Sequence, residues 1–154
     1  MLKFYSTLIG LQEIPDEVSL VINIANCPIH CSDCHAPMLW GNIGTPLTAD
    51  NLKKLIEPLA DKITCVVFMG GDIEPDSVNE LADYIRREFL YIKIGWYSGR
   101  IQVPLFIEYR NFDYIKLGPY VKSLGGLDSP ITNQRLYKVQ GCQLFDITEK
   151  FWKK

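Results

Sequence analysis

Four segments along the chain predict β-strands, and the first two of them are continuous apolar runs that suit burial on both faces. They lie at 18–25, 63–69, 91–98 and 112–118. The first two are rich in β-branched residues and too short for buried helices, which favours strands. Two further segments, 47–60 and 77–90, place apolar side chains three and four positions apart, the pattern of an amphipathic helix. The chain therefore alternates strands with helices.

Capping residues set the limits that we expect for the two helices. Thr48 can cap the start of the first helix, and Pro58 disfavours helical backbone at the residue before it. Pro58 therefore weakens or ends the last turn. Ser77 and Glu80 have the spacing of a capping box, which predicts that the second helix begins at Ser77.

Alternating strands and helices are typical of an α/β fold built from parallel βαβ units. The tail at 135–148 predicts two short strands around Gly141, a C-terminal β extension, whereas 99–110 fits either a short helix or an extended connection. The length of 154 residues predicts one domain, 1–154. A full eight-unit barrel needs about 200 residues or more, so at most four or five β/α units fit. We therefore expect mostly parallel strands in an open sheet or a truncated, partial barrel.

The carboxyl ends of parallel strands meet at one edge of a sheet, and ligands bind there in open α/β folds. Four segments follow the four predicted strands: 26–37 (NCPIHCSDCHAP), 70–72 (GGD), 98–99 (SG) and 118–120 (GPY). The sequence therefore predicts that all four face the same edge.

Composition and charge limit the classes of protein to which the chain can belong. The chain is 47% hydrophobic and 22% charged, which is typical of a soluble globular domain. Its net charge of −2 offers no basic surface for nucleic acid and no polybasic membrane anchor, and its apolar runs are too short to span a bilayer. The N-terminal segment has no signal-peptide core, so we expect a cytoplasmic protein. Thiols stay reduced there, and clustered cysteines then indicate metal binding or catalysis.

Three of the five cysteines are crowded after the first strand with the spacing C-x3-C-x2-C: Cys27, Cys31 and Cys34. Thiolates suit zinc and iron–sulfur clusters, and a structural zinc site or a [4Fe-4S] cluster normally takes four ligands. Cys65 lies inside an apolar strand, where we expect it to act as a small buried hydrophobic residue, and Cys142 lies in the tail. Either His30 or His35 could complete a zinc site. In a cluster, three cysteines would leave one iron open for chemistry.

This triplet, followed by GGD at the end of the next strand, resembles the motifs of the radical S-adenosylmethionine enzymes. The resemblance implies that Cys27, Cys31 and Cys34 hold a [4Fe-4S] cluster. It also implies that the amine and carboxylate of S-adenosyl-L-methionine bind the fourth iron. One electron from the reduced cluster then cleaves this cofactor and releases a 5′-deoxyadenosyl radical.

The same resemblance implies further contacts with the cofactor at the ends of the strands. Gly70 and Gly71 would expose backbone groups to the methionyl amine, because glycine has no side chain to obstruct the approach. Asp72 stands where the family usually has glutamate, and its shorter side chain reaches less far. Ser98 could bond the ribose or carboxylate of the cofactor, or its own turn.

Other positions depart from the family pattern. The position before the third cysteine is often aromatic in the family, but here it is Asp33. Contacts from Asp33, Cys34 and His35 to the cofactor would therefore be polar or through the backbone. Asp113 and Lys116 do not match the Asp-x-Lys pattern of some activases, and on a strand they point to opposite faces. We expect Lys116 to be solvated or to face a partner.

Further stretches narrow the resemblance to the anaerobic ribonucleotide reductase activating proteins: FMGGD (68–72), WYSGR (96–100), FDYIKLGPY (112–120) and TNQRLY (132–137). That family has a truncated barrel and generates a glycyl radical on anaerobic ribonucleoside-triphosphate reductase. The resemblance implies this reductase as the partner and a flavodoxin or ferredoxin as the electron donor. Asn133, Gln134 and Arg135 would then contact the partner, close over the site or form a solvated loop.

Two other functions fit the same residues. The chain could be a radical enzyme of the same superfamily with another target, such as a formate lyase or a small molecule in deazapurine synthesis. It could also be a zinc-binding or redox-sensing module built on Cys27, Cys31, Cys34 and His35.

Overall fold

The computed structural model describes residues 1–29 and 41–152. Within these residues the chain forms one eight-stranded sheet with the order β3-β1-β2-β4-β5-β6-β7-β8. The strands are β1 (Lys3–Gly10), β2 (Ser19–Ile24), β3 (Thr45–Pro46), β4 (Cys65–Met69), β5 (Lys93–Tyr97), β6 (Tyr114–Leu117), β7 (Arg135–Gln140) and β8 (Gln143–Asp146). The helices are α1 (Ala49–Ile56) and α2 (Pro75–Glu88), with short 3-10 turns at Glu57–Leu59, Tyr109–Asn111 and Thr148–Phe151.

The centre of the sheet is parallel and its flanks are antiparallel. Strands β2, β4, β5 and β6 are parallel neighbours, as the sequence predicts. Strands β1 and β3 add antiparallel pairs on one side, and β7 and β8 add them on the other. The predicted α/β class and the C-terminal β extension are confirmed.

The prediction of mostly parallel strands is wrong, since four pairings are antiparallel and three are parallel. The difference comes largely from β1, for which the sequence shows no continuous apolar run and no clean alternation. Its residues Tyr5, Leu8 and Ile9 are apolar but about half exposed. The pairing of the described strands does not confirm a partial barrel.

Pro58 and Thr48 limit α1 as predicted. The Thr48 hydroxyl accepts a hydrogen bond from the Asn51 amide at 3.1 Å, and the helix gives way to the 3-10 turn that contains Pro58. The predicted capping box of α2 is wrong, because the helix already begins at Pro75. Proline fits the first helical position, where its fixed φ is helical and its missing N–H has no partner to lose.

Two apolar layers cover the two faces of the sheet. On one face, α1 and α2 pack against alternate strand residues that include Ile22, Phe68 and Trp96. On the other face, Val21 and Val67 pack with the fully buried Ile14 of the β1–β2 connection. Burial on both faces explains why the central strands read as continuous apolar runs. No helix of residues 1–29 and 41–152 is long and apolar enough to cross a bilayer.

Candidate functional site

The segments that follow the parallel strands meet at one edge of the sheet, as predicted. A side chain on Gly99, after β5, would come within 2.9 Å of Ile29, which lies in the segment after β2. The Gly118 amide, after β6, donates to the Arg100 carbonyl at 2.7 Å. These contacts join three of the four segments, and the fourth, at 70–72, is bonded to the segment after β5.

The loop that carries the cysteine triplet is closed at its base. Asn26 has a φ of +60°, which turns the chain at the end of β2, and its amide donates to the Gly41 carbonyl at 2.8 Å. Asn26 and Gly41, which lie on either side of the triplet in the sequence, are thus bonded to each other. Cys27 directly follows Asn26 and is half-buried. The other predicted residues of this loop lie outside the described residues, namely Cys31, Asp33, Cys34 and His35, so their roles stay predictions.

The two remaining cysteines lie away from this loop. Cys65 is fully buried in β4, and burial first, then the nearby Glu17 carboxylate, raises the pKa of its thiol to about 12. It is therefore a buried thiol, as predicted. Cys142 lies in the exposed turn between β7 and β8. Because β7 runs antiparallel to β6, that turn is at the opposite edge of the sheet from Cys27.

Gly70 and Gly71 form a tight passage from β4 to α2. Both have positive φ, +108° and +94°, and a side chain on Gly71 would come within 2.5 Å of Val78. The Gly70 carbonyl accepts a hydrogen bond from the Trp96 indole at 2.8 Å. A carbonyl oxygen has two lone pairs, so this oxygen can also accept from a ligand amine. The turn alone explains the glycines, and their contact with a cofactor stays a prediction.

Asp72 ties the segment after β4 to the segment after β5. Its carboxylate, 2% exposed, accepts hydrogen bonds from the Ser98 hydroxyl at 2.6 Å and the Gly99 amide at 2.8 Å. Arg100 donates to the Asp72 carbonyl at 2.7 Å and places its Nε 3.7 Å from the carboxylate. Two predicted cofactor contacts, Asp72 and Ser98, thus bond to each other and stabilise the loop edge.

Ser98 also makes the local turn bond that the sequence left open. Its hydroxyl accepts from the Arg100 amide at 3.0 Å while it donates to Asp72. Sequence reasoning did not single out Arg100, although a charged residue directly after a strand-end Ser-Gly pair was a usable signal.

Lys116 is buried rather than solvated, so that expectation is wrong. Only 8% of the residue is exposed, and its ammonium donates to the Gly118 carbonyl at 2.8 Å and the Ser98 carbonyl at 3.2 Å. It also lies 5.6 Å from the centre of the Tyr97 ring. The apolar neighbours in YIKL, all buried in β6, were the signal for a buried lysine. Its ammonium holds the carboxyl ends of β5 and β6 together.

The segment before β7 belongs to the same edge. Gln134 is buried, at 7% exposure, and its side-chain amide lies 3.4 Å from the Gly118 carbonyl. Asn133 donates to the Pro119 carbonyl at 3.0 Å. The solvated-loop alternative is therefore wrong for Gln134, whereas contact with a partner stays a prediction.

A second polar network at the opposite edge was not predicted. The Glu17 carboxylate accepts hydrogen bonds from the Thr64 hydroxyl at 2.7 Å, the Lys93 ammonium at 2.9 Å and the Tyr114 hydroxyl at 2.8 Å. Burial raises the pKa of Glu17, but these hydrogen bonds and the Lys93 charge outweigh burial and leave the pKa below its ordinary value. The network joins the amino ends of the parallel strands, so its role is structural.

Comparison with known proteins places the chain in a family. A family model described as a 4Fe-4S single cluster domain matches residues 17–117, which is more than half of the chain. The match includes the cysteine triplet, the GGD segment and the Ser98–Arg100 turn. No curated protein and no solved structure matches the chain significantly. The chain belongs to the family of 4Fe-4S single cluster domains.

Proposed function

We propose that the chain is a radical S-adenosylmethionine activase that generates a glycyl radical on anaerobic ribonucleoside-triphosphate reductase. One observation carries the proposal. The cysteine triplet lies within the residues that the 4Fe-4S family model matches, and its first member, Cys27, follows β2 at the carboxyl edge of the parallel strands, while Cys65 and Cys142 lie elsewhere. The chain therefore offers the cluster three cysteines and leaves one iron for a cofactor.

The residues at this edge fit such a group. Cys27, Cys31 and Cys34 would hold the cluster. The Gly70 and Gly71 carbonyls can each accept a further hydrogen bond from the amine of S-adenosyl-L-methionine. When bound, the cluster would deliver one electron to this cofactor and supply the radical that takes a hydrogen atom from a glycine of the partner.

The surrounding side chains position the loops rather than react. The Asp72 carboxylate fixes the turn at Ser98, and the Lys116 ammonium fixes the ends of β5 and β6. Both are buried, so the rim around the cofactor is preorganised by bonds that already exist without it. The described strands form an open sheet, in which β3 and β8 do not pair with each other, and an open side would admit a loop of a protein partner.

The choice of partner rests on the stretches FMGGD, WYSGR, FDYIKLGPY and TNQRLY. All four contribute residues to the carboxyl edge or to the strands that lead to it. We propose a flavodoxin or ferredoxin as the electron donor and the cytoplasm as the compartment, since the chemistry needs a reduced cluster.

The cluster is tested by anaerobic reconstitution of Cys27→Ala and of its matched control, Cys142→Ala. We expect Cys27→Ala to lose the iron and labile sulfide of the cluster and to cleave S-adenosylmethionine at the background rate with dithionite. Cys142→Ala should keep both the cluster and the cleavage of S-adenosylmethionine, because the Cys142 thiol lies at the other edge of the sheet. Stoichiometric zinc without iron in the unmodified chain would instead indicate the zinc-binding module.

The partner is tested by electron paramagnetic resonance after the holoprotein, S-adenosylmethionine and reductant are mixed with purified reductase. We expect a glycyl doublet on the reductase and no such signal on a formate lyase treated identically. A doublet on the lyase alone, or cofactor cleavage with no radical on either protein, would reject the reductase as the target.

A further inference from the structure

An exposed apolar loop lies beside the candidate site. Ile101, Leu105 and Phe106 are 79%, 104% and 54% exposed, in the segment that directly follows Arg100. Isolated surface leucines are ordinary, but a contiguous apolar group at a ligand-binding edge is typical of an interaction site.

This loop is held in place at both of its ends. At its start, the Arg100 amide bonds to Ser98 and the Arg100 carbonyl accepts from the Gly118 amide at 2.7 Å. At its end, the Ile107 amide donates to the Pro104 carbonyl at 3.1 Å, and Ile107 is buried in the core at 7% exposure. These bonds fix the backbone at both ends of the loop, which lowers the entropy cost of ordering the loop on binding.

Two adjoining cavities flank the loop and share Ile101 and Pro119. The larger has a volume of about 880 Å³ and also contains Ile29 and Leu105, and the smaller has a volume of about 330 Å³. Ile29 lies two residues after Cys27, so the larger cavity reaches the base of the cysteine loop. A chain that occupies the cavities would therefore approach the candidate site.

The charged residues that line the two cavities are all positive. Among the described residues, the charged side chains that line them are Arg100 and Arg135, and no carboxylate does so. Each arginine forms an ion pair with a carboxylate outside the lining, Asp72 at 3.7 Å and Asp146 at 3.6 Å, and Arg100 also donates to the Asp72 carbonyl. The two side chains remain 41% and 38% exposed. The overall charge of the chain is −2, so this positive character is local.

We infer that these cavities bind an extended segment of the protein substrate in which apolar residues flank an aspartate or glutamate. The apolar side chains would pack on Ile101 and Leu105, and the carboxylate would pair with Arg100 or Arg135. This inference rests on the proposed function, because it takes the reductase as the protein that supplies the segment.

The binding test compares Leu105→Asp with the matched control Leu90→Asp, whose leucine is 73% exposed between α2 and β5. Each reconstituted holoprotein is titrated anaerobically with the reductase. We expect Leu105→Asp to raise Kd about 10-fold or more, as loss of a central apolar contact does, and Leu90→Asp to leave Kd unchanged. Cluster absorbance and circular dichroism of each variant check that the fold is retained.

Charge is tested separately with Arg135→Glu and with overlapping peptides of the reductase on an array. We expect Arg135→Glu to weaken binding, added salt to weaken binding of the unmodified protein, and the array to retain acidic, apolar peptides that are lost when their aspartates become asparagine. Preference for basic peptides would overturn the inference.

The remaining outcomes separate the two proposals. Equal Kd values for Leu105→Asp, Leu90→Asp and the unmodified protein, with a glycyl radical still formed, would overturn the docking surface alone. Neither binding nor radical formation by the unmodified holoprotein would overturn the proposed function together with the inference.

Discussion

Asp72 shows how one carboxylate organises two loops of the candidate site. The sequence predicts a cofactor contact for it, because it occupies the last position of the GGD motif. In the structure, that carboxylate accepts hydrogen bonds from the Ser98 hydroxyl and the Gly99 amide. The sequence identifies the GGD motif. It does not show which donors the Asp72 side chain reaches, because those donors follow another strand.

We predict that Asp72→Ala lowers the free energy of unfolding by about 3 kcal/mol, since it leaves two buried donors without a charged acceptor. Ser98→Ala should cost about 2 kcal/mol, because it removes the bond to the Asp72 carboxylate and the bond from the Arg100 amide. Anaerobic urea denaturation, followed by tryptophan fluorescence, measures both. The exposed Asp61→Ala is the control, and an equal effect of Asp72→Ala and Asp61→Ala would contradict the network.

At the scale of elements, the turn from β4 to α2 requires glycine for two separate reasons. Gly71 has a left-handed backbone and also packs against Val78 of α2. Gly141, in the turn between β7 and β8, has a φ of +64°, but a Cβ at this position would meet no atom within 4 Å among the described residues. Substitutions at these two glycines can therefore distinguish the cost of backbone strain from the cost of close packing.

We predict that Gly71→Ala lowers the free energy of unfolding by about 3 kcal/mol, from left-handed strain together with overpacking against Val78. Gly141→Ala should lower it by about 1 kcal/mol, from strain alone. Thermal or urea unfolding of the two variants gives the difference, and equal losses would show that the contact with Val78 relaxes without cost.

Local sequence signals predicted the secondary-structure elements better than they predicted the contacts between elements. Thr48 and Pro58 fixed the limits of α1, because capping and proline geometry depend on a few adjacent residues. The prediction for Lys116 is wrong because its burial depends on β5 and β7, which cover it from either side. Arg100 was missed for the same reason, since its partner Asp72 belongs to another loop.

At the scale of the whole molecule, the two edges of the parallel strands differ in chemistry. The carboxyl edge holds the candidate site, while the amino edge is joined by Glu17, which reaches donors on or beside three other strands. The sequence predicted the parallel core and the shared edge, because continuous apolar runs and strand-end motifs carry that information. It also predicted the C-terminal extension of β7 and β8, but it missed the N-terminal flank of β1 and β3, because the half-exposed β1 has no comparable pattern.

We predict that the Glu17 network makes stability depend on acid. Because the folded pKa of Glu17 is below the ordinary value of 4.5, its stabilisation is present above about pH 4.5 and is lost as pH falls through the folded pKa. Glu17→Gln should lower the free energy of unfolding at pH 7 by about 2 kcal/mol and flatten the dependence below pH 4.5. Urea denaturation as a function of pH tests this, with the exposed Glu80→Gln as control, and a parallel pH profile for both variants would contradict it.

The described sheet ends at β3 on one side and at β8 on the other. β3 has only two residues, and one is Pro46, which has no N–H to donate. β8 has four residues and ends at the exposed Asp146. Short edges that carry proline or charge are poor templates for a further strand, but β3 pairs only with Lys3 and Phe4, so residues 5–10 of β1 also present an edge among the described residues. Pairing with a further strand is therefore disfavoured at β3 and β8 but open along that stretch of β1, where Tyr5, Leu8 and Ile9 are about half exposed.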